Sequence, residues 1–75
     1  MPKLLILKAK EIIRFLEANG FFSISQSGSH LKMKNNHGAM VIVPTHSSKD
    51  MPKGTLLSIL RQAGLTKEEL QRFFE

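Results

Sequence analysis

Apolar and polar residues alternate along this chain with two different periods. From Ala9 the apolar positions fall at Ala9, Ile12, Ile13 and Leu16, the i, i+3, i+4, i+7 spacing of a helix with one buried face. Asn19-Gly20 follows, a pair suited to the left-handed turn that stops a helix. The spacing predicts a first helix from about Lys8 to Ala18.

The period then shortens. Three runs, FFSIS, SHLKMK and AMVIVP, read as strands. A two-residue turn at Ser27-Gly28 would pair Gln26 with Ser29. That register sets Ile24 opposite Leu31 and Phe22 opposite Met33 on an inner face. It leaves Ser25 opposite His30 and Ser23 opposite Lys32 outside. A loop over Asn35, Asn36, His37 and Gly38 would close a second hairpin, pairing Met33 with Met40 and Leu31 with Ile42. Met33 and Met40 then both belong to the core.

Past Pro44 a polar stretch, THSSKDMPKG, leads to a second helical pattern at Leu56, Ile59, Leu60 and Ala63, with Gly64 as its stop. Thr66 and Glu69 have the T-x-x-E spacing of a capping box, and Leu65 and Leu70 stand at the staple positions. A short last helix carries Leu70, Phe73 and Phe74 on one side. The expected order is α-β-β-β-α-α. This is an α+β fold whose three-stranded antiparallel sheet has helices on its inner face and solvent or a partner on the other.

The 75 residues suit one domain spanning 1–75. A domain this small buries only about 60% of the surface its unfolded chain exposes, so no large cofactor cavity fits beside a core, and no cofactor is expected. Cysteine is absent, which excludes disulfide staples and zinc–thiolate sites and fits a reducing compartment. The opening MPKLLIL is too short for the apolar region of a signal peptide. No apolar run approaches the ~18 residues of a membrane span. A cytoplasmic protein without membrane association is expected.

Charge changes the picture more. The formal net charge is +5, and no acidic residue lies between Glu17 and Asp50. That gap holds all three histidines together with Lys32, Lys34 and Lys49. A basic region of this kind is the footprint of a polyanion, most often a nucleic acid, although a merely soluble basic surface has the same composition.

His30 is the sharpest chemical candidate. Lys32 and Lys34 share its strand face, and Gly28 in the preceding turn lets a substrate backbone come close. A neutral imidazole suits proton abstraction near neutral pH. The combination fits metal-free RNA cleavage, with His30 taking the proton of a ribose 2′-OH and Lys32 steadying the negative charge that develops. An inert surface histidine is the plainer alternative. His46, just past the third strand, is a candidate auxiliary acid for the leaving 5′-oxygen, or a residue hydrogen-bonded within its loop. His37 reads as an exposed loop residue. Lys53 stands where the second helix starts, where backbone N–H groups could hold a phosphate; Thr55 or Asp50 capping the helix is the competing reading. Irregular histidine spacing without convergent carboxylates gives no reason to expect a metal. No P-loop, dinucleotide fingerprint or nucleophile elbow is present.

Three stretches together carry a resemblance: G-S-H at Gly28 to His30, V-P-T-H at Val43 to His46, and P-K-G-T-L-x-S-I-L-R-Q-A-G-L from Pro52 to Leu65. From about Lys8 to Leu70 the chain resembles the HicA family of toxins. The resemblance implies a fold like that of double-stranded-RNA-binding domains and activity as a ribosome-independent mRNA endoribonuclease. It also implies a HicB-type antitoxin that masks the active site. The family's catalytic histidine falls on His30, and Gly28, Ser29, Lys32, Lys34 and Lys53 become the candidate RNA- and phosphate-binding residues. Ser25 and Leu57 depart from the family, which often has basic residues at both positions. RNA affinity would then rest more on Lys32, Lys34 and Lys53, and an exposed Leu57 would favour a partner protein. Two other readings stay open: an RNA-binding module that does not cut, and a domain whose basic face meets an acidic protein.

Overall fold

The computed structural model describes residues 6–45 and 50–75. The order is α1 (Ala9–Ala18), β1 (Phe22–Ser27), β2 (His30–Lys34), β3 (Met40–Pro44), α2 (Lys53–Ala63) and α3 (Lys67–Phe73). The strands form one antiparallel sheet in the order β1-β2-β3, giving the expected α+β arrangement.

Local chemistry explains the helix ends. At the start of α1 the Lys8 N–H donates to Glu11 Oε1 at 2.9 Å. At its end Gly20, with φ of 89°, lets its own N–H reach the Glu17 carbonyl and the Phe21 N–H reach that of Leu16. Those paired bonds satisfy carbonyls that a bare helix end would leave open. Gly64, at φ 71°, closes α2 in the same way on Arg61 and Leu60. The capping box forms as the spacing predicts: the Glu69 N–H donates to Thr66 Oγ1 and the Thr66 N–H to Glu69 Oε1, each at 3.0 Å.

The core lies between the helices and one face of the sheet. Ile12, Phe15 and Leu16 of α1, Leu56, Ile59 and Leu60 of α2, and Leu70 of α3 pack with Met33, Val41 and Val43. Phe15 also meets the ring of Phe73 edge-on, with centroids 5.5 Å apart. The segment before α1 is tied to the approach to α2, because the Met51 N–H donates to the Leu7 carbonyl at 2.7 Å and Lys8 Nζ pairs with Asp50 at 3.3 Å. No helix among the described residues is long and apolar enough to cross a membrane.

Strand register departs from the expectation by one residue in the second hairpin and by two beside the first turn, falling to one past a bulge. The first loop is Gly28-Ser29, not Ser27-Gly28, so Ser27 faces His30, Gln26 faces Leu31 and Ser25 faces Lys32. Only Gly28 needs positive φ here, at 59°. A two-residue loop with glycine first asks nothing unusual of its second residue, whereas Ser27 as the first loop residue would have had to take the left-handed conformation. A bulge between Ser23 and Ser25 then moves the ladder again, setting Ser23 opposite Met33 and Phe22 opposite Lys34. In the second hairpin Leu31 faces Val43, Lys32 faces Ile42, Met33 faces Val41 and Lys34 faces Met40.

The consequence is a change of face. Phe22, Ile24, Met40 and Ile42, expected inside, are 42%, 41%, 48% and 45% exposed. Their sequence neighbours Phe21, Val41 and Val43 take the buried places. Each apolar pair offered two inward choices, and the helices pack on the β-branched pair of β3.

Candidate nucleic-acid interface

The side chains of β2 alternate across the sheet, as strand geometry requires. Met33 is fully buried and Leu31 half-buried, while His30 and Lys34 are exposed and Lys32 is half-buried. His30, Lys32 and Lys34 thus occupy one row on the outer face. No carboxylate shares the sheet with them, since the acid-free stretch covers all three strands.

The turn leading into His30 is held from β3. The Thr45 N–H donates to the Ser29 carbonyl at 2.6 Å, and the Thr45 hydroxyl donates to the same oxygen at 3.1 Å. Gln26 Nε2 donates to the Gly28 carbonyl at 3.3 Å and reaches Thr45 Oγ1 at 3.5 Å. These bonds fix the backbone beside His30 without engaging its imidazole. Nothing in the linear sequence marked Thr45 or Gln26 for this role, because the contact spans strands. Gly28 itself faces open space: a Cβ built there would meet nothing within 4 Å.

Reading across the strands gives three rows on the outer face. Ser27, His30 and Pro44 form the first, Ser25, Lys32 and Ile42 the second, and Phe22, Lys34 and Met40 the third. Each cation or imidazole lies on the central strand. Most of the apolar residues of this face lie on the flanking strands.

The remaining candidates are spread out. Lys53 is exposed and is the first residue of α2, whose N-cap is Pro52 and whose first turn has no side-chain cap. Neither Thr55 nor Asp50 caps the helix; Asp50 is paired with Lys8. Ser25 is exposed beside Lys32, and Leu57 is half-buried, not the exposed residue expected. His37 is exposed, and its N–H donates to Asn35 Oδ1 at 3.0 Å in the second hairpin loop. His46 and Lys49 lie outside the described residues. Among the described residues no group of three or more His, Cys, Asp or Glu side chains could hold a metal ion.

The family described as "HicA toxin of bacterial toxin-antitoxin" matches residues 9–65. The chain belongs to the HicA toxin family. A relative from Pseudomonas fluorescens (strain Pf0-1), named "Probable mRNA interferase HicA", is 37% identical over 59 residues, which cover 79% of this chain and 97% of the relative. The HicA match takes in the Gly28-Ser29-His30 turn, the whole sheet and α2.

Proposed function

We propose that the protein is a toxin-type mRNA endoribonuclease that cuts RNA without a metal or a ribosome. The observation that carries the reading is the exposed His30 at the head of a strand whose same face presents Lys32 and Lys34 with no carboxylate on the sheet. The HicA membership and the name of the Pseudomonas relative support the substrate class.

In this mechanism the neutral imidazole of His30 accepts the proton of a ribose 2′-OH. The freed oxygen attacks the adjacent phosphorus, the bond to the 5′-oxygen breaks, and that oxygen takes up a proton as it leaves. The product end is a 2′,3′-cyclic phosphate, which water opens to a 3′-phosphate. Lys32, two residues along the same strand face, stabilises the negative charge that develops on the attacked phosphate. Lys34 holds a flanking phosphate, and the open backbone at Gly28 and Ser29 allows close approach of the RNA. Lys53 is a further phosphate contact, and His46 the candidate donor to the leaving oxygen. A HicB-type antitoxin is the partner that silences the enzyme by masking His30.

The test uses purified protein, free of any antitoxin, incubated with ribosome-free RNA in EDTA. Cleavage leaving cyclic or 3′-phosphate ends is the expected result. A requirement for Mg²⁺, or 5′-phosphate ends, would overturn the His30 mechanism. Binding without any cutting would favour the RNA-binding module instead.

A further inference from the structure

The register of the sheet assigns work to residues that the linear pattern places in the core. Phe22 and Met40 flank Lys34 on the outer face, about 42% and 48% exposed. Neighbouring strands lie ~4.8 Å apart, so the two apolar side chains stand on either side of one ammonium group. The row through His30 is four residues away along β2, about 13 Å at the rise of an antiparallel strand. That is the span of about two nucleotides in an extended strand.

We infer that Phe22 and Met40 form a base-stacking subsite for single-stranded RNA, about two nucleotides from the phosphate held at His30. The inference rests on the nuclease reading for its reference point, but the contact itself is one of binding. Single-stranded RNA is gripped where cations follow the backbone and aromatic or apolar faces take the bases. The outer face has that layout. Lys32 and Lys34, two residues apart, run down its centre, while Phe22, Met40 and Ile42 lie to the sides.

A docked protein fits the same face less well. The fully buried centre of a protein interface is depleted in lysine, and here the apolar pair Phe22 and Met40 is divided by Lys34. A flexible polyanion with flat bases meets both demands at once. The face has no carboxylate to repel it. Phe22 also lies outside the core cluster, in which Phe21 takes the buried place.

The experiment is an abasic scan. A short fluorescent single-stranded RNA, with a 2′-deoxy sugar at the cleaved nucleotide, is titrated against wild type and against F22A by anisotropy. A series of the same RNA then carries one abasic nucleotide at each position in turn. Wild type should lose about tenfold in affinity at one position, about two nucleotides from the cleaved phosphate. F22A should bind the intact RNA about tenfold more weakly and be indifferent to the same abasic position. F22W should restore both the affinity and the sensitivity, and M40A should show a smaller loss at that position. Thermal melting of each variant checks that the fold is intact.

If the F22A loss and the abasic losses add at every position, Phe22 does not stack on a base and the inference is overturned. If F22A weakens only the complex with the antitoxin, the face belongs to the protein and the inference is likewise overturned. Should wild type cut no RNA while one position of the scan is still silenced by F22A, the subsite stands and the nuclease reading falls. Cleavage without any such position overturns the subsite and leaves the nuclease standing.

Discussion

Both faces of the sheet carry a methionine and β-branched residues, and these behave differently on the two sides. On the inner face Met33, Val41 and Val43 have no exposed surface. On the outer face Met40 and Ile42, each the direct neighbour of a buried valine, are close to half exposed. Hydropathy therefore does not decide which side of a strand is core. The decision belongs to register, which for β3 is set by the loop over Asn35 to Ala39, where the Asn35 N–H donates to the Ala39 carbonyl and the Ala39 N–H to Asn35 Oδ1. The inner face spends its apolar surface on stability. The outer face keeps a comparable surface in water beside a histidine and two lysines, which is unfavourable unless something binds there.

Substitutions can break this comparison, and the largest effect should fall on the outer face. H30A should lower the rate of RNA cleavage by about 10²–10⁴-fold, the usual worth of a positioned proton acceptor. Its melting temperature should stay close to wild type, since the side chain is exposed. A fully active H30A would move the base elsewhere, and an unfolded one would make His30 a structural residue.

The next effect belongs to the inner face. M33A removes a fully buried side chain and should cost about 2–5 kcal/mol in urea unfolding. M40A, on the other side of the same sheet, should cost no more than about 0.5 kcal/mol. Equal losses would mean that the two faces are not distinct in solution.

The smallest effects sharpen the division of labour within the outer row. K32A and K34A should each reduce the slope of log affinity for RNA against log salt by roughly one. At saturating RNA, K32A should slow cleavage more than K34A, because Lys32 lies nearer the reacting phosphate in the proposed mechanism. Equal effects confined to binding would leave both as anchors and turn attention to Lys53. Unchanged slopes would argue that RNA does not meet this face.

Much of the architecture was legible in the linear sequence because its signals are local. Helical spacing, Gly20 and Gly64 as stops, and the Thr66–Glu69 box each act within a few residues. The exposure of His30 and Lys34 was legible as well, since a lysine-bearing strand with Leu31 and Met33 between has one sensible orientation. Register was not, because it depends on a choice between two turns that differ by one residue. Phe21-Phe22 and the run Met40 to Val43 offer apolar side chains to either face. Only three-dimensional packing against α1 and α2 decides between them. Thr45 carries no local signal for a related reason: its hydroxyl matters only once β3 lies beside the first turn. The half-buried state of Leu57 also depends on tertiary contacts that helical spacing does not report.

β1 lies at the edge of the sheet with Phe22 and Ile24 exposed. A straight, apolar, uncovered edge of this kind is a template on which further chains add as strands, and repeated addition gives insoluble aggregates. The bulge at Ile24 interrupts that template. It bends the strand and increases its twist, so the N–H and C=O groups along the free edge no longer form the straight row that a growing fibril copies. One extra residue thus makes the β1 edge a poorer template for strand addition while its apolar side chains stay exposed.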